Sequence, residues 1–167
     1  MTHSGTFVVA RKAEEVFALL ATPERFAPLL PDFESMAMQD ATHFTLRTVI
    51  AVGQIRGHAN LAMELIESQP HSRTAYDGMG AIAGGQLSLA IRFQIVPEGE
   101  LTEVYWQGEV TLQGPLAILA GNLVESMGRQ NIELMALRLQ QHLAAQAPQT
   151  PVEPTAGASA ASPEYEI

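Results

Sequence analysis

The sequence predicts an α+β domain in which one curved antiparallel sheet closes around a long C-terminal helix, with two short helices after the first strand. Three observations carry this. From Phe33 the apolar positions recur with period two for about eighty residues, too long for any helical reading. Before that run lie two short segments of helical spacing. After it, Gly114-Pro115 opens a stretch of helical spacing that reaches Ala145 and would span on the order of 45 Å.

Ser4-Gly5-Thr6-Phe7-Val8-Val9-Ala10 reads as a strand, and the spacing then turns helical from Arg11 to Leu20. There Val16, Leu19 and Leu20 share one face, with Phe17 at its edge. Thr22 can cap a second helix whose first position suits Pro23, and Pro28 and Pro31 force that helix to be short. In the long alternating region Phe44, Leu46, Thr48, Ile50 and Val52 form one set, with Gly53 as a bend or bulge. Ala59, Leu61, Met63 and Leu65 form the next, before a turn at Ser68-Gln69-Pro70-His71. Leu87, Leu89, Ile91, Phe93 and Ile95 give the cleanest half-buried strand. Pro97-Glu98-Gly99-Glu100 makes a hairpin loop, and Val104, Trp106, Val110 and Leu112 complete the set. On the final helix Leu116, Ala120, Leu123, Met127 and Leu134 form one stripe. Ile132, Met135, Leu139 and Leu143 form another on its later half. Residues 1–145 are thus the folded domain. Residues 146–167, with prolines among Ala, Thr, Ser and Glu, are expected to be a disordered tail.

Composition narrows the chemistry. A formal charge of −9 argues against nucleic acid, which needs clustered Lys and Arg, and against simple adhesion to anionic lipid heads. With no cysteine there is no disulfide, thiolate metal site or cysteine nucleophile. The start of the chain lacks a basic and apolar leader, and no apolar run approaches the roughly 18 residues of a span, so a cytoplasmic location is expected. The glycine-rich stretch Gly78-Met79-Gly80-Ala81-Ile82-Ala83-Gly84-Gly85 continues into a strand. It therefore reads as a hairpin or bulge, not as a phosphate loop, which must open a helix. His3, His43, His58, His71 and His142 show no metal-ligand spacing, and Asp32, Glu34, Glu64 and Asp77 are scattered. Tyr76 is either a polar group in a cavity or a packed core tyrosine. Leu116 to Val124 is apolar on every side, and Phe26-Ala27-Pro28-Leu29-Leu30 is also greasy. These segments either bury each other or form an exposed rim.

The order of elements resembles the helix-grip fold of START and Bet v 1-like proteins. Phe7-Val8-Val9-Ala10 with Glu15-Val16-Phe17 is similar to the opening of the carbon monoxide dehydrogenase G-subunit family. Thr22-Pro23-Glu24-Arg25-Phe26, Val52-Gly53-Gln54-Ile55-Arg56-Gly57, Gly78-Met79-Gly80 with Gly84-Gly85, and Gly114-Pro115-Leu116-Ala117 extend the likeness over residues 4–143. Where that family usually shows Pro-Gly after the second helix, this chain has Pro31-Asp32. The resemblance implies a non-enzymatic accessory protein of a molybdenum-containing hydroxylase or CO dehydrogenase complex. Such a protein would bind a quinone or lipid and touch the membrane peripherally at its inner face, with no other cofactor.

On that fold the expected ligand-binding set is Phe44, Leu46, Met63, Tyr76, Leu87, Leu89, Ile91, Phe93, Trp106, Leu116, Leu123 and Met127. The expected membrane or partner docking set is Leu29, Leu30, Ile82, Ile118 and Leu119. Two other readings stay open. One is a cavity enzyme of the polyketide cyclase/dehydratase type, for which Tyr76 and His58 are the available groups. The other is an assembly factor that works through its surface.

Overall fold

The computed structural model describes residues 2–52, 55–82 and 85–145, with side chains except those of residues 50, 52, 55, 116 and 119–128. Its elements in chain order are β1 (Thr2–Val9), α1 (Ala13–Leu20), α2 (Pro23–Phe26), a 3-10 turn (Ala27–Leu29), β2 (Phe33–Met38), β3 (His43–Val52), β4 (Ile55–Gln69), β5 (Arg73–Ile82), β6 (Gly85–Glu98), β7 (Leu101–Gln113) and α3 (Pro115–Ala145). The strands form one seven-stranded antiparallel sheet in the order β1-β7-β6-β5-β4-β3-β2. The predicted α+β class and helix-grip arrangement are what the chain adopts. Gly53, Gly84 and residues 146–167 lie outside the described residues.

Period-two alternation sends one set of side chains to the helix side of the sheet. Phe44 and Leu46 on β3, Leu61 and Met63 on β4, Tyr76 on β5, Ile91, Phe93 and Ile95 on β6, and Val104 and Trp106 on β7 are all buried there. Their outward neighbours, such as Arg92, Gln94, Tyr105 and Gln107, are exposed. Two irregularities shift the register, between Phe33 and Ser35 on β2 and between Leu65 and Glu67 on β4. The first turns Glu34 outward, where its Oε1 accepts hydrogen bonds from Arg47 Nε (3.1 Å) and His58 Nδ1 (2.7 Å).

Two helical layers cover the concave face. Val16, Leu19 and Leu20 of α1 are fully buried at the i, i+3, i+4 positions of one helical face. Each such side chain is worth roughly 1.5–3 kcal/mol on burial. Phe26 of α2 stacks on Tyr76 with centroids 4.9 Å apart and meets Phe93 edge-on at 5.7 Å. Thr22 precedes α2 but does not cap it: its hydroxyl donates back to the Ala18 carbonyl at 2.6 Å. Pro23 does stand at the first turn, where its missing N–H costs nothing.

The later half of α3 buries Ile132, Met135, Leu139 and Leu143, as their spacing predicts. Ile132 packs onto Gly108, 3.1 Å from where a Cβ would stand. Leu134 departs from expectation and is 36% exposed, with Leu137 at 48%. Two residues advance a helix by about 200°, so the face that seats Ile132 turns Leu134 outward. The helix is anchored at its end by Arg11, whose buried Nε donates to the Leu143 carbonyl at 2.8 Å. Arg11 is itself held by Thr102, whose hydroxyl donates to its carbonyl at 2.5 Å.

Candidate functional site

Strand pairing arranges the inward residues in rows across the concave face. Phe93 lies opposite Trp106, and Ile91 opposite both Tyr76 and Gly108; all five are buried. The next row runs Val110, Leu89, Gly78, Met63, Phe44, and the one after it Leu112, Leu87, Gly80, Leu61, Leu46. In these two rows the β3 and β4 members are buried, whereas Leu87, Leu89, Val110 and Leu112 are only half-buried although they point to the helix side. The glycines explain part of this. Met63 folds its thioether over Gly78, and Leu61 leans over Gly80, in the space where side chains of β5 would stand. The wall there is one thin apolar layer, left partly uncovered toward β6 and β7.

Of the expected ligand set, the structure brings Phe44, Leu46, Met63, Tyr76, Leu87, Leu89, Ile91, Phe93 and Trp106 onto this one face. The side chains of Leu116, Leu123 and Met127, and of Leu119 in the docking set, lie outside the described residues. Tyr76 is the packed core tyrosine of the two readings. It is fully buried, and its phenol donates to the carbonyl of Leu20 at 2.6 Å, which leaves no free proton for a ligand. Burial pushes the phenol's pKa well above the usual tyrosine value, with the Glu24 carboxylate adding to the effect.

The docking set divides. Ile118 is 85% exposed on the first turns of α3. Leu29 is half-buried against the core. Leu30 and Ile82 are corrections: both are buried, Leu30 in the core beneath the 3-10 turn and Ile82 at the inward register of β5. A rim built on either has no exposed surface to offer.

The scattered titratable groups resolve onto the outer face. His58 is held by Glu34, Asp77 pairs with Arg92 at 3.1 Å, and Glu64 faces His43 Nε2 at 3.5 Å. None of these points to the helix side, and among the described residues no three His, Asp or Glu side chains gather into a metal-sized group. A groove of about 580 Å³ crosses the outer face of β1, β7, β6 and β5. Its Arg73, Arg92, Glu67 and Glu109 mix charges of both signs, an unsuitable lining for an apolar molecule.

One group escapes sequence reasoning. His3 stands at an inward position of β1, opposite Gly108, and its Nε2 is buried with no hydrogen-bond partner among the described residues. The usable signal was register: His3, Gly5, Phe7 and Val9 share one parity, and the last two are evident core residues.

Comparison with solved structures shows the same fold in several bacterial proteins. A conserved protein from Geobacillus kaustophilus superposes with a TM-score of 0.74 at 14% identity, covering 86% of this chain and 95% of that one. A START superfamily protein from Mycobacterium smegmatis gives 0.63 at 16%, covering 85% and 96%. The Zhui aromatase/cyclase from a Streptomyces species gives 0.63 at 15%, covering 86% and 93%. At these identities the likeness is one of fold alone. A search of curated proteins found no match. No helix among the described residues is long and apolar enough to cross a membrane. The family comparison goes further than fold, because residues 5–144 match as one unit, and the chain belongs to the carbon monoxide dehydrogenase G-subunit (CoxG) family.

Proposed function

We propose that this protein is a non-enzymatic accessory protein that holds an apolar molecule, a quinone or a lipid, between its concave sheet and α3. In that role it serves a molybdenum-containing CO dehydrogenase-type enzyme, by membrane attachment or by delivery of electrons to quinone. The observation that carries the reading is the half-buried set Leu87, Leu89 and Val110, in two successive rows on the helix side of the sheet, next to the closed row of Tyr76, Ile91 and Gly108. Apolar surface left on a concave inner wall is what an apolar ligand covers, at about 0.8 kcal/mol per methylene buried. Membership of the CoxG family supports a role beside an enzyme. A cyclase needs polar groups converging on its substrate, and the phenol of Tyr76 is engaged by Leu20.

Docking in this reading uses the end of the sheet where α3 begins. The paired strand ends Val52 and Ile55, and Ile82 and Gly85, lie at that same end, since alternate strands run the same way. Ile118 is exposed there, as are Met79 and Val49 near the ends of β5 and β3. With a formal charge of −9, attachment is hydrophobic and persists as salt rises.

The test is organic extraction of the purified protein followed by mass spectrometry, alongside titration of Trp106 emission with a quinone and a long-chain lipid. We expect an isoprenoid quinone or lipid in the extract, and a reduced yield from Leu89→Trp, which fills the uncovered wall. An empty extract together with unchanged emission would remove the ligand from this reading.

A further inference from the structure

β1 lies at one edge of the sheet, and its inward residues are His3, Gly5, Phe7 and Val9. Phe7 and Val9 are buried in the core, and the indole of Trp106 lies over Gly5, its Cζ2 2.7 Å from where a Cβ would stand. His3 differs from its neighbours in kind. Its Nε2 is buried from water and, among the described residues, has found no donor or acceptor in exchange. Groups in that state are a small minority in folded proteins, and each one calls for a cause.

The surroundings point to the cause. The residue opposite His3 is Gly108, which offers no side chain. One inward position further along β7 and β6 stand Val110 and Leu89, the pair left half-buried on the concave wall. The inward neighbours on β1, β7 and β6 are Gly5, Trp106, Gly108, Ile91, Val110 and Leu89, and none presents a carboxylate, hydroxyl or amide to the imidazole. A ring nitrogen with no partner among the described residues therefore stands at the margin of a half-buried apolar patch.

We propose that His3 is the polar anchor of the ligand site, with Nε2–H donating a hydrogen bond to a carbonyl oxygen on an otherwise apolar molecule. This rests on the ligand-binding reading above and adds what that reading lacks, a group that orients the ligand. Neutral imidazole carries one N–H donor, and a dry setting strengthens the bond it makes. A quinone ring carbonyl and a lipid ester carbonyl present the same chemistry.

The experiment uses the full chain and three probes: decylubiquinone for the ring carbonyl, monoolein for the ester, and decylbenzene as a match lacking oxygen. Binding is read from Trp106, the single tryptophan, whose indole sits beside the next inward position of β1. We expect at least one carbonyl probe to bind more tightly than decylbenzene. His3→Leu then weakens that probe about tenfold, equivalent to about 1.4 kcal/mol, and leaves decylbenzene unchanged. His3→Gln, which keeps a donor, recovers part of the loss. Whichever carbonyl probe responds identifies the source of the oxygen. Because His3→Leu removes an unpaired buried nitrogen, it should melt no lower than the wild type. Three results overturn the proposal: unchanged affinity of His3→Leu for both carbonyl probes, an equal loss for all three probes, or a melting point several degrees lower. If the wild type binds none of the three, the ligand reading fails as well, and that failure is visible before any variant is made.

Discussion

Replacing Tyr76 with phenylalanine removes one oxygen from the centre of the molecule and leaves the ring in place. Leu20 is the last residue of α1, so its carbonyl is among those that have no partner within the helix. The Tyr76 hydroxyl supplies that partner at 2.6 Å from a fully buried position. The ring's stack on Phe26 and its edge contact with Phe44 at 6.1 Å survive the substitution, so the loss is confined to the hydrogen bond. Leaving a buried carbonyl unpaired costs about 1–3 kcal/mol at neutral pH, or roughly 2–4 °C of Tm per kcal/mol for a chain of this size. The pH dependence carries the sharper signature. Burial raises the phenol's pKa in the folded state above its unfolded value near 10. The stability it contributes is therefore complete below about pH 10 and is lost above it, by about 1.4 kcal/mol per unit, until the folded phenol itself ionises. Urea denaturation at pH 7 and pH 11 should show Tyr76→Phe less stable at pH 7, with the gap narrowing by about 1.4 kcal/mol at pH 11. Equal stability at pH 7, or parallel behaviour at both pH values, would refute the reasoning.

Asp32 holds a left-handed backbone with φ of 60°, at the position where the family usually shows glycine. Asp32→Gly should stabilise the fold by about 0.5–1 kcal/mol in urea titrations, and a loss instead would mean that the aspartate itself holds the turn. Arg11→Ala should cost about 1.5–3 kcal/mol and speed hydrogen exchange in the last turns of α3; Arg11→Lys, lacking the Nε–H, should rescue little. Ile118→Glu should leave Tm unchanged because the side chain is 85% exposed, yet abolish liposome or partner binding. Unfolding would place Ile118 in the core, and unaltered binding would move the docking surface elsewhere. Truncation after residue 147 should leave Tm within a few degrees, while a marked fall would show that the tail contributes to the domain.

The alternation on β6 was sufficient to place Leu87 through Ile95, because a strand with one solvated face writes its register directly into hydrophobicity. The paired stripes on α3 were less decisive. Leu134 and Ile132 are equally apolar, and only the seat of Ile132 on Gly108 settles which of them turns inward. Leu30 and Ile82 looked like rim residues because they flank turns, but burial depends on what covers a side chain, and that is a tertiary fact. The cluster of Glu34, Arg47 and His58 depends on an irregularity in β2 that no local pattern announces. His3 was hidden for a similar reason. Its isolation is apparent only once β7 is laid beside β1 and no polar group is found opposite.

That last pairing governs the order in which the chain can assemble. Strands β2 to β7 each pair with their neighbours in sequence through short connections, so the sheet can grow as a succession of hairpins while the chain is being made. β1 is the exception, because it is synthesised first and its partner is synthesised last among the strands. Until Leu101–Gln113 is complete, Thr2–Val9 has no ladder to join, and Arg11 cannot reach the Leu143 carbonyl until α3 follows. The closing of β1 carries the largest loop entropy in the sheet, which predicts that it falls in the final stage of folding. Substitutions at Phe7 and Val9 should therefore hasten unfolding while scarcely slowing refolding, and the histidine at the head of that strand comes into register only when the rest of the domain already exists.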